Sequence, residues 1–154
     1  MVANLPYNIG SRLVVGVLRR VPAVDRVGVL VLREVADRLL ARPGSRTYGV
    51  PSVVIALHAD AAIAFTVPPA VFFPVPEVDS AVVEIERRAP LPNTERAIEL
   101  AATAFQQRRK MLRRSLAGTV EDPGATLRAA GIEETARPED LSAVDFVHLA
   151  GVLP

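Results

Sequence analysis

Cysteine is absent from the 154-residue sequence, and so is tryptophan. The absence of cysteine excludes disulfides, thiolate nucleophiles and cysteine-based zinc sites, and it fits a reducing compartment. A dominant charge of one sign is also lacking, because the formal net charge at pH 7 is only +1. Any contact with nucleic acid must therefore come from a local basic patch.

Long hydrophobic runs are missing as well. The apolar run at residues 27–32 is bounded by Arg26 and Arg33 and is too short to cross a bilayer. The first residues lack the basic stretch followed by an apolar run that a secretory signal requires. His58 and His148 have no partners at ligand spacing, so we expect no metal site. We expect a soluble, cytoplasmic protein without membrane contact.

A glycine-rich GxGxxG turn, which would cradle a dinucleotide phosphate, does not occur. The sequence instead opens on Asn4, Leu5, Pro6 and Tyr7. An amide, a proline-fixed backbone and an aromatic ring in this order suit the holding of an exocyclic amine for methyl transfer. The alternative is a turn at a strand end, in which Asn4 satisfies backbone groups and Tyr7 packs. Such a motif normally follows a strand inside a cofactor-binding domain, so we expect a target half without a donor half.

Hydrophobic periodicity predicts an α/β part followed by a helical part. The α/β part has the order strand–helix–strand–helix–helix–strand–strand, and residues 27–32 form one of its strands, expected to be buried on both faces. A proline-rich hinge at residues 87–92 separates the parts. One long helix is predicted over residues 95–117. We therefore predict two domains, at residues 1–88 and 93–154.

Five cations without a carboxylate among them lie close together in the long predicted helix: Arg108, Arg109, Lys110, Arg113 and Arg114. A spacing of four places Arg109 with Arg113, and Lys110 with Arg114, on shared helix faces. Like charges so close destabilise a helix, and RNA phosphates are natural partners for them. A solvated face is the alternative.

Phe72 and Phe73 stand in a proline-bounded loop before the last predicted strand. One ring can sandwich a flipped base opposite Tyr7, because nucleobases stack on aromatic side chains. The alternative is that both rings fill the core beneath the loop, and for Phe73 we expect this buried position.

Blocks spread over the whole chain follow one known pattern. They comprise residues 2–9, 32–34, 48–49, 67–69, 72–82, 105–110, 114–116, 131–132, 137–139 and 141–142. Together, and in this order, they resemble the 16S ribosomal RNA adenine N6,N6-dimethyltransferase family. Phe72 occupies the family's aromatic position, whereas Glu77 stands where the family commonly has lysine.

The resemblance implies the C-terminal half of a class I, Rossmann-like methyltransferase sheet, followed by a small all-α RNA-binding domain. It implies methyl transfer from S-adenosylmethionine to N6 of two adjacent adenosines near the 3′ end of 16S rRNA, in small-subunit biogenesis. Asn4, Leu5, Pro6 and Tyr7 would be catalytic, Asn4 would also contact the cofactor, and Tyr7 and Phe72 would stack on the target base. The five cations would bind ribosomal RNA.

The chemistry of the motif also follows from its residue types. Adenine N6 is a poor nucleophile because its lone pair is delocalised into the ring. The side-chain oxygen of Asn4 and the carbonyl of Leu5 or Pro6 can accept the two N6 hydrogens and aim the lone pair at the methyl group. Positioning and electrostatics then replace a strong general base.

In the family, the glycine-rich turn and the acidic residues that hold the donor would lie upstream of Met1. We therefore expect the chain alone to be inactive. The alternatives are a non-catalytic module that binds rRNA or the 30S particle, and a related 23S rRNA or DNA adenine N6-methyltransferase. A full-length family member is expected to be monomeric. This chain is expected to self-associate, because residues 27–32 would form an unpaired apolar strand edge.

Overall fold

The computed structural model describes residues 1–6, 9–118 and 120–153, so the predicted site residue Tyr7 lies outside the described residues. The first part is a four-stranded sheet with helices packed against it. Its elements are β1 (Val2–Asn4), α1 (Gly10–Arg20), β2 (Arg26–Leu32), α2 (Arg33–Leu39), α3 (Val50–His58), β3 (Ala59–Val67) and β4 (Ser80–Arg87). The predicted order of strands and helices is confirmed.

The second part is helical. Its elements are α4 (Thr94–Phe105), α5 (Leu112–Ser115), α6 (Pro123–Ala129), a 3₁₀ turn (Pro138–Asp140) and α7 (Ala143–Val152). The side chain of Ser142 accepts a hydrogen bond from the Asp145 amide and caps α7, as its residue type favours. None of the helices in the described ranges combines the length and apolar character that a membrane crossing requires.

The strands lie in the order β1-β2-β4-β3. β1 is parallel to β2, and β4 runs antiparallel to both of its neighbours. β2 is therefore an interior strand, and the expectation that it forms an unpaired edge is wrong. The edge of the described sheet next to β2 is β1, where Val2 is 93% exposed.

Only one face of β2 is buried, which corrects the prediction of two buried faces. Val27, Val29 and Val31 are buried, whereas the alternate residues Gly28 and Leu30 are half-buried. The helices α1, α2 and α3 contribute to the core on the valine side. Since the side chains of a strand alternate between its two faces, alternate residues of this apolar run lie in a buried and in a half-buried environment.

The predicted helix 95–117 is interrupted. α4 ends at Phe105, and residues 106–111 form successive turns before α5 begins at Leu112. Met111 has an extended backbone, and the Leu112 amide donates to the carbonyl of Ala136 at 2.8 Å. A tertiary backbone bond thus replaces a helical one at this point, although the local residue types favour a helix.

A side chain from the end of β4 caps the C-terminal end of α1. Arg87 donates from Nε to the carbonyl of Val24 at 2.9 Å, and from its two Nη atoms to Leu18 at 2.9 Å and Val21 at 3.0 Å. The carbonyl of Val17 lies 3.4 Å from Nη2. One guanidinium therefore binds the Leu18 carbonyl in the last turn of α1, and it adds a second donor to the Val21 carbonyl, which also accepts from the Val24 amide.

Three aromatic rings connect the loop before α3 with the helical part. The Tyr48 and Phe105 rings meet edge-on with centroids 5.8 Å apart, and the Phe105 and Phe146 centroids are 6.3 Å apart. Tyr48 is only 2% exposed, and its hydroxyl has no hydrogen-bond partner in the described part of the chain. Burial, and secondarily the Asp145 carboxylate, raises the pKa of Tyr48 to about 12.

Replacing Tyr48 by phenylalanine is expected to stabilise the fold by about 1 kcal/mol at pH 7, because an unpaired buried hydroxyl is removed. The raised pKa means that the folded state disfavours the tyrosinate. The shifted pKa of Tyr48 therefore makes the free energy of unfolding depend on pH. This dependence is absent below pH 10, the ordinary pKa, and the free energy of unfolding falls as the pH rises from 10 to about 12. Urea unfolding at pH 7 and pH 11 should show a smaller alkaline loss in Tyr48→Phe. An equal loss in both proteins would contradict this role of Tyr48.

Candidate active site and nucleic-acid interface

The candidate site lies at the edge of the sheet where the parallel strands end. β1 ends at Asn4, and β2 and β3 end at Leu32 and Val67. β4 begins at the same edge with Ser80, which is paired with both Leu32 and Val67. The residues that follow these strands therefore meet at one edge, which is where open α/β sheets commonly bind ligands.

The segment after β1 is anchored by Leu5. Its side chain is 6% exposed, and its amide donates to the Leu30 carbonyl at 3.1 Å, which continues the pairing of β1 with β2. α1 begins close behind it at Gly10, where a Cβ atom would lie only 3.2 Å from the Val31 side chain. Glycine thus allows α1 to pack tightly beneath the segment.

Asn4 and Pro6 lie on either side of this anchor and are both exposed. The carbonyl of Pro6 accepts a hydrogen bond from the Ile9 amide at 3.2 Å. Of the two backbone acceptors considered for the exocyclic amine, the Pro6 carbonyl therefore has one of its two acceptor positions occupied. The Leu5 carbonyl is the better candidate to act together with the Asn4 side chain.

The two phenylalanines of residues 68–79 differ in exposure. Phe72 is half-buried, and its amide donates to the Pro69 carbonyl at 3.0 Å. Phe73 is 100% exposed, so its expected position in the core is wrong. The backbone at Phe72 is extended, which turns successive side chains to opposite sides, and only one of the two can face the protein.

The loop that carries Phe72 is tied to the segment after β2. The Arg33 amide donates to the Asp79 carbonyl at 2.9 Å, directly beside the paired residues Leu32 and Ser80. This bond holds the end of the loop at the same sheet edge as Asn4. The structure therefore brings Asn4, Leu5, Pro6 and the loop of Phe72 to one edge.

The five predicted RNA-binding cations do not share helical faces, because residues 106–111 are not helical. Arg109, Lys110 and Arg114 are exposed and form no ion pair with any described residue. Arg113 lies 4.0 Å from the Glu134 carboxylate. The exposed cations nevertheless lie within one short stretch of the chain, which consists of residues 106–111 and the adjoining helix α5. We call residues 106–111 the basic turn.

Arg108 differs from its neighbours. It donates from Nε to the Glu139 carboxylate at 2.7 Å, from Nη1 to the Tyr48 carbonyl at 2.8 Å and from Nη2 to the Ser45 carbonyl at 3.0 Å. Its guanidinium is thus directed to partners within the protein. Sequence patterns do not reveal such a contact, because two of its three acceptors are backbone carbonyls.

The described residues supply little of a site for a nucleotide-type methyl donor. The segments that follow β1 and β2 are Leu5-Pro6 and α2, and neither is a glycine-rich turn. Asn4 ends β1 at this sheet edge and is exposed. In the described ranges there is also no group of three or more potential ligands that could hold a metal ion.

Comparisons with known proteins agree with this geometry. A family model described as "Ribosomal RNA adenine dimethylase" matches residues 1–153. A ribosomal RNA small subunit methyltransferase A from Kineococcus radiotolerans is 48% identical, with 100% of this chain and 53% of the relative covered. The protein of the same name from Acidothermus cellulolyticus is 44% identical, with 100% and 55% covered. The chain spans about half the length of these curated relatives.

Two solved structures share the fold. A dimethyladenosine transferase from Plasmodium falciparum superposes with a TM-score of 0.81 at 21% identity, covering 96% of this chain and 64% of the other. The 23S rRNA methyltransferase ErmE gives a TM-score of 0.70 at 23% identity, covering 99% and 64%. The predicted Rossmann-like α/β fold is thereby confirmed.

Proposed function

Because the chain belongs to the ribosomal RNA adenine dimethylase family, we propose that it forms the target-binding half of an enzyme that dimethylates N6 of two adjacent adenosines near the 3′ end of 16S rRNA. The observation that carries this proposal is the anchored Asn4-Leu5-Pro6 segment at the end of β1. The small-subunit relatives favour 16S over 23S rRNA as the substrate. The chain alone is proposed to bind RNA without methylating it.

The proposed chemistry uses two acceptors. In the first transfer the Asn4 side-chain oxygen and the Leu5 carbonyl accept the two N6 hydrogens, so that the nitrogen lone pair is localised and oriented. In the second transfer the single remaining N6 hydrogen is bound by one of the two acceptors. Each transfer forms an N–CH3 bond, breaks the donor's S–CH3 bond and releases one N6 proton to solvent. The buried Leu5 side chain and the Leu5–Leu30 bond hold this pair in place, and preorganised acceptors lower the barrier without reorganising during the reaction. S-adenosylmethionine, when bound, supplies the methyl group as an electrophile, and Asn4 is the described residue that would contact it.

Phe72 is proposed to stack on the extruded adenine, together with Tyr7. Replacing Phe72 by alanine is expected to weaken binding of the target base by roughly 10-fold or more, because stacking on an aromatic ring contributes about 1–3 kcal/mol. Phe73→Ala is the matched control, since the same ring is lost one residue away and on the solvent side. The two substitutions are compared in a chimera that carries the preceding part of the Kineococcus relative in front of this chain, and the KM for undermethylated 30S particles reports the difference. Equal effects of the two substitutions would contradict the assignment of Phe72.

The basic turn is proposed to contact RNA phosphates through Arg109 and Lys110. Their joint replacement by alanine is expected to weaken binding of a labelled 16S rRNA fragment roughly 10-fold at low salt. The slope of log K against log salt should fall by about 0.7–0.9 for each lost phosphate contact. Arg26→Ala is the control, because this exposed arginine lies at the beginning of β2, at the sheet edge opposite the candidate site. A slope unchanged in the double variant would count against phosphate contacts by the basic turn.

The proposed function can be tested with a chimera. The part of the Kineococcus relative that precedes the matched region is fused to residues 1–154, and methyl transfer from labelled S-adenosylmethionine to undermethylated 30S particles is measured. We expect the chimera to methylate adenine N6 and the chain alone to give background. An inactive chimera beside an active relative would refute the proposed function. Activity of the chain alone would refute the view that it lacks the donor site.

A further inference from the structure

Arg108 joins three separate segments of the chain. Its own segment is the basic turn, its carboxylate partner Glu139 lies in the 3₁₀ turn before α7, and its carbonyl partners are Ser45 and Tyr48 in the loop before α3. The Gly44 amide adds a bond to the Glu139 carbonyl at 2.7 Å. The Arg108 guanidinium thus adds a polar connection between the sheet part and the helical part to the apolar core that they share.

The bonding of Arg108 uses the shape of its side chain as well as its charge. Three different nitrogen atoms donate to three acceptors in other segments, namely two backbone carbonyls and the Glu139 side-chain carboxylate. The planar fork of arginine can do this, whereas the single ammonium of lysine cannot satisfy the same set. The Arg108 and Glu139 side chains are 31% and 27% exposed, so the pair is partly shielded from water.

The basic turn depends on such contacts because it lacks regular helical bonding. Lys110 donates its amide to Gln107, in a turn, and the chain leaves the turn with Leu112 bound to Ala136. Its orientation is therefore set by tertiary contacts, and within the described ranges the hydrogen bonds of Arg108 reach the sheet part.

We propose that Arg108 is a positioning residue, which acts with Glu139 to fix the orientation of Arg109 and Lys110 relative to the target pocket. This inference rests on the proposed RNA-binding role of the basic turn. It assigns Arg108 no phosphate of its own. It also gives an acidic residue, Glu139, a favourable role in binding a polyanion.

Glu139 gives the inference its sharpest test, because electrostatics and positioning predict opposite results. A carboxylate near an RNA-binding surface repels phosphates, so its removal should strengthen binding if charge alone matters. If Glu139 holds Arg108, its removal should weaken binding. Glu133 is the matched control, since it is exposed and forms no ion pair with a described residue.

The experiment compares Glu139→Ala, Glu133→Ala and Arg108→Lys in the 154-residue chain, with a labelled 16S rRNA fragment as the probe. We expect about 5-fold weaker binding for Glu139→Ala and for Arg108→Lys, since each breaks the charge-assisted contact of the fork. The double variant should be no weaker than either single variant, because both act through one contact. Glu133→Ala should bind as tightly as the unchanged chain, or more tightly.

Hydrogen exchange of the amides in residues 106–112 gives a second readout that needs no RNA. Exchange should become faster in Glu139→Ala and Arg108→Lys, with exchange in β2 unchanged. Faster exchange in β2 as well would mean general unfolding and would overturn the inference.

Unchanged or tighter RNA binding by Glu139→Ala would also overturn the inference, and so would normal RNA binding by Arg108→Lys. If Arg109 and Lys110 prove dispensable for RNA binding, the proposed RNA-binding role of the basic turn fails. The exchange data then still show whether Arg108 and Glu139 hold the basic turn in place.

Discussion

Replacing Asn4 by alanine in the chimera is expected to lower the rate of methyl transfer about 10³-fold, because a preorganised partner of the reacting group is lost. Binding of RNA should remain nearly unchanged, since the basic turn is untouched. Asn4→Asp keeps an acceptor oxygen and should lose less activity than Asn4→Ala. Single-turnover rates and RNA affinities of the three proteins provide the measurement.

The exposure of Asn4 makes this result interpretable. Substitutions at exposed positions usually change the free energy of unfolding by less than about 0.5 kcal/mol, so a loss of activity cannot be ascribed to unfolding. An Asn4→Ala chimera with an unchanged rate would exclude Asn4 as an acceptor for the amine. A rate that falls only in proportion to RNA affinity would place Asn4 in binding instead of catalysis.

Replacing Arg87 by methionine is expected to lower the free energy of unfolding by about 2–3 kcal/mol. The substitution removes charge-assisted bonds to the carbonyls at the end of α1 and leaves those carbonyls without this partner. Methionine retains much of the apolar stem of arginine, so lost packing contributes little. Urea unfolding followed by circular dichroism measures the change.

Arg26→Met is the control for Arg87, because Arg26 forms an exposed ion pair with Glu86 at the beginning of β2. Exposed pairs of this kind contribute about 0–1 kcal/mol. Equal destabilisation by the two substitutions would mean that the contacts of Arg87 with α1 are energetically unimportant.

The elements of the fold that depend on local sequence could be predicted. Prolines and the apolar run at residues 27–32 mark the elements of the sheet part, and their order is that of the structure. The faces of β2 could not be predicted, because an apolar run does not say which of its sides is covered. The exposure of Phe73 could not be predicted either, because it depends on the backbone direction of a single loop.

The candidate site was predictable where it consists of contiguous residues. Asn4, Leu5 and Pro6 form a motif that can be read directly, and the structure adds that the Pro6 carbonyl already has a donor. The interruption of the helix before Leu112 was not predictable, because it depends on a bond to Ala136, which is remote in sequence. The division at residues 1–88 and 93–154 remains a prediction.

Helix α3 sets a limit on how this protein can be recombined with its relatives. Ile55 belongs to the core against the sheet, whereas Val53, Val54 and Leu57 belong to the core shared with α4 and α7. A helical part grafted from another family member would therefore meet a foreign apolar surface unless α3 were transferred with it. The sheet part and the helical part are then inherited as one unit, and substitutions in α3 must preserve the packing of both.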